Sequence, residues 1–314
     1  MPESSALWSR FPLPLRVVLL AALCCCGPAA QAADDEFPPE LTELTPYEHN
    51  PVFMAEAAGS WDAKIRERGW ILHEGDTYYL WYTGYDGSRE GIRRLGLATS
   101  PDGIRWKRAG TGPLDATHWI EDMMVVKSGA TYYMAAEGVD DIAQLLTSQD
   151  RVHWTRQGSL DVRLTSRQPI SAGPRGTPTL WKQGDTWYLF YERGDLGVWL
   201  ATSADARVWT NVSDAPVLGL GSQPHDRYMV AMNQVIRHAG RYYALYHSKG
   251  GRLQPWVSNL AMSTDLVHWK KYPRNPLLAD NQSSAIYVYD GDRYRLYVMH
   301  DQVRLYFSRQ KSTP

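Results

Sequence analysis

Cysteine is nearly missing from this 314-residue chain, and the three present are adjacent: Cys24, Cys25 and Cys26. They end an apolar run at 17–26, preceded by Arg10 and Arg16, broken by Pro28 and followed by the small-x-small site Ala30-Gln31-Ala32. That is the pattern of a secretory signal peptide, and its run of about ten residues is too short to span a bilayer. Leu23 stands before Cys24 where a lipoprotein signal needs a small residue. Residues 1–32 are therefore expected to be removed, and the mature chain to be secreted or periplasmic with no integral membrane segment. Without cysteine, that chain has neither disulfides nor thiolate metal ligands. An excess of either charge is also lacking: 33 Lys+Arg meet 34 Asp+Glu, which argues against nucleic acid or an anionic membrane as partner. The histidines show no His-Glu-x-x-His spacing, so no metal ligand set is expected. No glycine-rich loop precedes a helix, so nucleotide chemistry finds no support. Phenylalanine is scarce too, 5 residues against 19 Tyr and 13 Trp. Rings with a polar tip suit strands whose edges meet water or sugars, which leans toward an all-β protein.

What is present is repetition. An apolar stretch, a glycine and an aromatic run recur, as in Ile71-Leu72-His73-Glu74-Gly75-Asp76-Thr77-Tyr78-Tyr79-Leu80 and Leu180-Trp181-Lys182-Gln183-Gly184-Asp185-Thr186-Trp187-Tyr188-Leu189. The turn glycines Gly75, Gly129, Gly184, Gly240 and Gly291 are 54, 55, 56 and 51 residues apart. Each copy reads as a β-hairpin. Four copies add Ser-x-Asp-x-x-x-Trp, at Ser100 to Trp106, Ser148 to Trp154, Ser203 to Trp209 and Ser263 to Trp269. There the Asp closes a turn and the Trp opens an outer strand. Three to four strands per period of about 55 residues predict a propeller with one blade per repeat, hence five blades. The expected layout is an N-terminal linker at 33–45, the five-bladed β-propeller at 46–310 and a short tail at 311–314. The last blade lacks an outer strand, which the segment around 45–53 is expected to supply.

The motif from Gly75 to Trp106, Gly-x-x-Tyr-Tyr-Leu-x-Tyr followed by Leu-Ala-Thr-Ser-x-Asp-Gly-x-x-Trp, resembles the five-bladed glycoside hydrolase superfamily of families 43, 32, 62, 68, 117 and 130. The resemblance covers about residues 46–310. It implies a secreted hydrolase that cleaves glycosidic bonds of an oligo- or polysaccharide in an axial pocket. It also implies acids at the heads of successive inner strands.

Counting seven residues back from each turn glycine gives Arg68, Asp122, Thr177, Asn233 and Ser284; eight back gives Glu67, Glu121, Gly176, Met232 and Ser283. A polar ring heading strands that then turn apolar is what an axial pocket needs. Glycoside hydrolysis takes two carboxyl groups, one protonated and one ionised. Asp62, just ahead of blade one, resembles the first acid of the superfamily and is expected as base or nucleophile. Asp122 matches the second-blade acid that orients and tunes the others, and strand alternation should turn Glu121 the other way. The third acid departs from the resemblance: at blade three Pro174-Arg175-Gly176-Thr177-Pro178 carries no carboxylate. The second strands return to the same face and end at Thr83, Glu137, Glu192, His247 and His300. Glu192 is the nearest replacement as general acid, with Glu137 and Asp226 as alternatives. Substrate contacts are expected from Trp61, Arg68, Glu121, Arg175, Thr177, Asp226, Asn233 and His247, and the several arginines hint at an anionic sugar. No cofactor is expected beyond a structural axial cation such as calcium. The competing readings are a catalytically silent carbohydrate-binding propeller, which the missing blade-three acid favours, and a sialidase-like enzyme, which five repeats disfavour.

Overall fold

The computed structural model describes residues 36–310 except 172 and 174. The expected signal peptide and the tail at 311–314 lie outside the described residues. A short helix α1 (Pro39–Thr42) leads into β1 (Leu44–Pro46), so the stretch expected as linker already carries ordered elements.

Five four-stranded antiparallel blades follow. Blade one is β3 (Trp70–Glu74), β4 (Thr77–Tyr85), β5 (Arg94–Ser100) and β6 (Lys107–Arg108), with β2 (Lys64–Ile65) laid on β4. Blade two is β7 (Glu121–Ser128), β8 (Thr131–Glu137), β9 (Ala143–Ser148) and β10 (Thr155–Ser159). Blade three is β12 (Gly176–Gln183), β13 (Thr186–Glu192), β14 (Gly197–Ser203) and β15 (Val208–Asn211), extended by β11 (Asp161–Arg163) and β16 (Leu218–Gly219). Blade four is β17 (Met229–His238), β18 (Arg241–Lys249), β19 (Val257–Ser263) and β20 (Lys270–Lys271). Blade five is β21 (Ala285–Tyr289), β22 (Tyr294–Met299) and β23 (Val303–Ser308), completed by β1. Leu44, Thr45 and Pro46 pair with Ser308, Phe307 and Tyr306, closing the ring from the segment the repeat left over.

Local chemistry explains the repeat. All five turn glycines have positive φ, from 57° to 102°, a conformation that side chains resist. In the Ser-x-Asp turns the Asp carboxylate collects two backbone N–H groups, as Asp102 does from Ile104 at 2.9 Å and Arg105 at 2.8 Å. The Ser hydroxyl donates to the Asp and accepts a backbone N–H in turn. The tryptophans that follow pack against the preceding blade: Trp154 meets Trp81, Trp269 meets Phe190, and Trp106 closes the circle against Tyr297 of blade five. Edge-to-face ring pairs of this kind add to the burial that holds blade to blade.

Candidate active site

The inner strands do not run regularly to the axis. Arg68, Asp122, Thr177 and Ser284 all have left-handed backbone, with φ of 58°, 49°, 46° and 57°. At the fifth position, Asn233, the pairing of β17 slips by one residue. Similar slips interrupt β7 between Glu121 and Met124, and β12 between Gly176 and Thr179. Left-handed backbone costs a non-glycine residue roughly 1–2 kcal/mol, and such strain is concentrated at functional sites. Here it recurs at one register in four blades and re-aims the strand heads into a common space.

That space is a cleft of about 160 Å³ lined by Arg66, Glu67, Asp122, Glu137, Asp141, Thr177, Glu192, Asp195, His247, Trp256, Ser283 and Ser284. Blade one brings Glu67, blade two Asp122 and Glu137, and blade three Glu192. Gly176 is the residue that lets two of these acids meet. A Cβ there would fall 2.1 Å from Glu192 Oε1 and 2.7 Å from Glu137 Oε1, so the two oxygens lie less than 5 Å apart across a bare backbone. Glu137 accepts the Thr177 N–H, and Glu192 accepts the Asp195 N–H at 2.5 Å.

Crowding burial and charge in this way drives the carboxyls apart in acidity. Burial, with the fields of Glu67 and Glu121, holds Asp122 well above the ordinary aspartate range, and its Oδ1 has no hydrogen-bond partner among the described residues. Burial and Asp122 raise Glu137 likewise, and burial raises Glu192. Burial beside Glu192 and Asp141 lifts Asp195 to about 7. Glu67 is the exception. Burial works against its charge, but contact with His300 at 3.0 Å and the nearby Arg66 hold it down at about 2. Burial depresses His247 to about 3, so it is a neutral imidazole whose Nδ1–H donates to Asn233 Oδ1 at 2.6 Å. It packs edge-on against Trp256.

Several expected residues lie elsewhere. Asp62 is buried within blade one, where the Tyr82 hydroxyl donates to it at 2.9 Å and Arg108 Nε at 2.7 Å. It is not among the residues lining the cleft, because the segment before β2 folds back over its own blade. Trp61 stacks on Tyr82 beside it. Asp226 pairs with Lys271 at 2.7 Å, close against Gly221. Arg68 lies under the cleft as a plug: it donates to Asp122 O at 2.8 Å, Pro178 O at 3.0 Å, Thr179 Oγ1 at 2.6 Å and Asn233 O at 3.4 Å. Glu121 turns between blades one and two, where Trp119 Nε1 donates to it at 2.7 Å and Arg66 at 3.1 Å. Arg175 bridges to Ile142 outside the lining set. Thr177 and His247 line the cleft, and Asn233 supports His247 from below. The cleft therefore carries six carboxylates and one guanidinium among its described residues, the reverse of the arginine-lined mouth that hinted at an anionic sugar. Glu121, Glu137 and Asp141 bring one oxygen each within 4.8 Å of one another, a spacing that suits a hard cation.

Arg66, Asp141, Asp195 and Trp256 went unread. Asp141 and Asp195 follow Glu137 and Glu192 by four and three residues, and an acid recurring in the turn after a second strand was the available signal.

No family model matches the chain. An uncharacterised protein of Mycobacterium tuberculosis is 26% identical over 219 residues, 64% of this chain and 72% of that protein. A 1,2-β-oligomannan phosphorylase of Thermoanaerobacter is 23% identical over 235 residues, 66% and 72% of the two chains. Among solved structures, a glycosyl hydrolase of Bacteroides ovatus superposes with a TM-score of 0.72 at 15% identity, covering 86% of this chain and 94% of that one. The β-1,2-mannobiose phosphorylase of Listeria innocua, solved with β-1,2-mannobiose, gives 0.65 at 16%, covering 85% and 96%. The fold is thus that of the five-bladed carbohydrate-active propellers.

Proposed function

We propose that this chain is an extracytoplasmic glycoside hydrolase acting on an oligosaccharide in the axial cleft. Asp122 is the proton donor: it lines the cleft, and burial holds its proton above the ordinary range. It protonates the glycosidic oxygen of the departing sugar. Water held between Glu192 and Glu137, across Gly176, attacks the anomeric carbon and gives its proton to one of those carboxylates, once ionised. Carboxyls this close do not all ionise together, so one proton among them is the resting state. Trp256 and His247 flank the space where a sugar ring would sit.

The observation that carries hydrolysis is the charge of the cleft. The names of the similar proteins include both hydrolases and phosphorylases, and a phosphorylase must bind inorganic phosphate beside the bond it breaks. With Asp122 protonated and Glu137 and Glu192 sharing a proton, the carboxylates left ionised still outnumber the one guanidinium, repel a phosphate dianion and hold water instead. The test is incubation with β-1,2-mannobiose and a broad glycan panel, with and without inorganic phosphate. Free sugar at a rate that phosphate does not change, lost in Asp122→Asn, is the expected result. A sugar 1-phosphate product overturns hydrolysis. Saturable binding without any product would establish the silent binding module.

A further inference from the structure

The cleft is a well with one opening. Each blade gives it a wall residue, as Glu67, Asp122, Thr177, His247 and Ser284 do from blades one to five in turn, and Arg68 closes it below. Its volume of about 160 Å³ is well under the roughly 300–1,000 Å³ of a drug-sized ligand site, which leaves room for a sugar ring and little more. A longer substrate must keep its remaining sugars outside, on the face of the ring where the second strands end. On that face a groove of about 380 Å³ runs beside blade two, lined in part by His118, Trp119, Val139, Gln144, Arg156 and Ser159. One turn separates the two spaces: Glu137 and Asp141 line the well, while Gly138, Val139 and Ile142 line the groove. The turn is braced, with the Gly138 N–H donating to Ile142 O at 3.0 Å and the Arg175 N–H to Asp141 O at 3.0 Å. Val139 stands on it 61% exposed.

The groove is built round a buried clasp. Gln144, 2% exposed, donates from Nε2 to Trp119 O at 2.8 Å and to Glu137 O at 3.3 Å, and its Oε1 accepts Arg156 Nε at 2.8 Å. That last bond steadies the guanidinium of an otherwise exposed arginine. Arg156 pairs with no carboxylate among the described residues, so its two outer nitrogens face the groove with their donors unspent. A guanidinium fork held in this way grips paired oxygen acceptors. We propose that the groove is a saccharide subsite for the part of the substrate that stays outside the well. The departing chain crosses Val139 and sets neighbouring hydroxyls on the Arg156 fork, with apolar surface from Val139 and the half-buried Trp119 beneath the sugar face. The assignment rests on the cleft being the catalytic site. It makes the enzyme one that removes single terminal sugars, from longer chains in preference to short ones.

Chain length tests it. Ladders of β-1,2-manno-, β-1,4-xylo- and α-1,5-arabino-oligosaccharides, from two to five units, would be titrated by calorimetry into the full chain carrying Asp122→Asn, and digested by the parent. In at least one ladder the affinity should rise about tenfold or more with length, since hydrogen bonds to a charged group are among the stronger ones. Adding Arg156→Ala should cancel most of that gain while changing the affinity of the disaccharide less. Arg156→Lys should not restore it, because one ammonium cannot make the paired contact. Arg105→Ala, on the opposite face of the ring, should leave the gain as it was. The parent should release monosaccharide from the first minutes of digestion. Affinity that is equal at every length, a gain indifferent to Arg156→Ala, or no binding in any ladder overturns the proposal, as does early release of internal fragments. Length-dependent binding that needs Arg156, without turnover by the parent, would count against hydrolysis and uphold the groove. Monosaccharide release with length-independent affinity would uphold hydrolysis and remove the groove.

Discussion

Replacing Arg68 by methionine removes the charge at the centre of the ring while keeping an aliphatic stem. The guanidinium is 1% exposed and donates to acceptors in blades two, three and four. The substitution strips those acceptors of their donor and leaves Asp122, Glu137 and Glu192 above without the positive field beneath them. Breaking one side of such a buried arrangement costs about 3–5 kcal/mol. Part of the loss is offset because a buried guanidinium is itself expensive: burial pushes its pKa below the usual arginine value against the pull of those acids. A net loss of about 3 kcal/mol would lower the melting temperature by roughly 5 °C in a domain of this size. Urea denaturation would read it as a lower midpoint with an unchanged slope. Arg68→Lys should fall between, since one ammonium cannot reach every acceptor. The chemistry should move as well. Arg68 is the largest charge opposing the rise in the Asp122 pKa, so in Arg68→Lys, where the charge is displaced, the pH profile of turnover should shift. A destabilisation of Arg68→Met below about 1 kcal/mol would refute the picture of a plug that ties the blades together.

Ser284→Gly should stabilise the protein by about 1 kcal/mol in thermal unfolding, because Ser284 combines a φ of 57° with a buried hydroxyl that has no partner among the described residues. Gly176→Ala should fold but lose turnover by two or more orders of magnitude, since its Cβ would occupy the space between Glu137 and Glu192; near-normal turnover would remove the water site from that position. Asp122 holds its proton above the pH at which an unfolded aspartate releases it, so the folded state binds more protons in that window and stability falls as pH rises through it. Asp122→Asn should therefore gain stability over wild type at pH 7 relative to about pH 3, measured by urea denaturation at both, while abolishing turnover. Ser100→Ala should cost about 1–2 kcal/mol, because it removes both the 2.8 Å bond from the Gly103 N–H and the 2.9 Å bond to Asp102.

The architecture was legible because the signal is one-dimensional. A turn glycine needs positive φ whatever surrounds it, so five glycines at nearly constant spacing mark five hairpins without knowledge of the fold. The ring seven residues ahead of them was legible for the same reason, and it led to Asp122 and Thr177. What failed was the part that depends on partners distant in sequence. Nothing near Asp62 announces that Tyr82 and Arg108, 20 and 46 residues later, will claim its carboxylate. Arg68 reads as an axial cation, and only the approach of three other blades turns it from a sugar contact into a plug. Asp195 and Trp256 sit in irregular connections, where no period fixes which way a side chain points. Alternation did predict that Glu121 and Asp122 diverge, yet the slip in β7, invisible in the sequence, sets where each one goes.

The pairing of Leu44, Thr45 and Pro46 with Tyr306, Phe307 and Ser308 also sets a schedule. A ribosome adding about 5–20 residues per second takes on the order of tens of seconds to make the chain between those partners. Throughout that interval β1 is present and its place is not. Blades one to four can acquire their own strand neighbours as they appear, but the arc they form stays open, with a strand edge free to recruit another chain. Closure is the last event, and it rests on β1, the bridge of Phe53 to Val303 and the contact of Trp106 with Tyr297. Dilution, low temperature or a holding chaperone during synthesis should therefore matter more to the yield of this protein than its stability once the ring has shut.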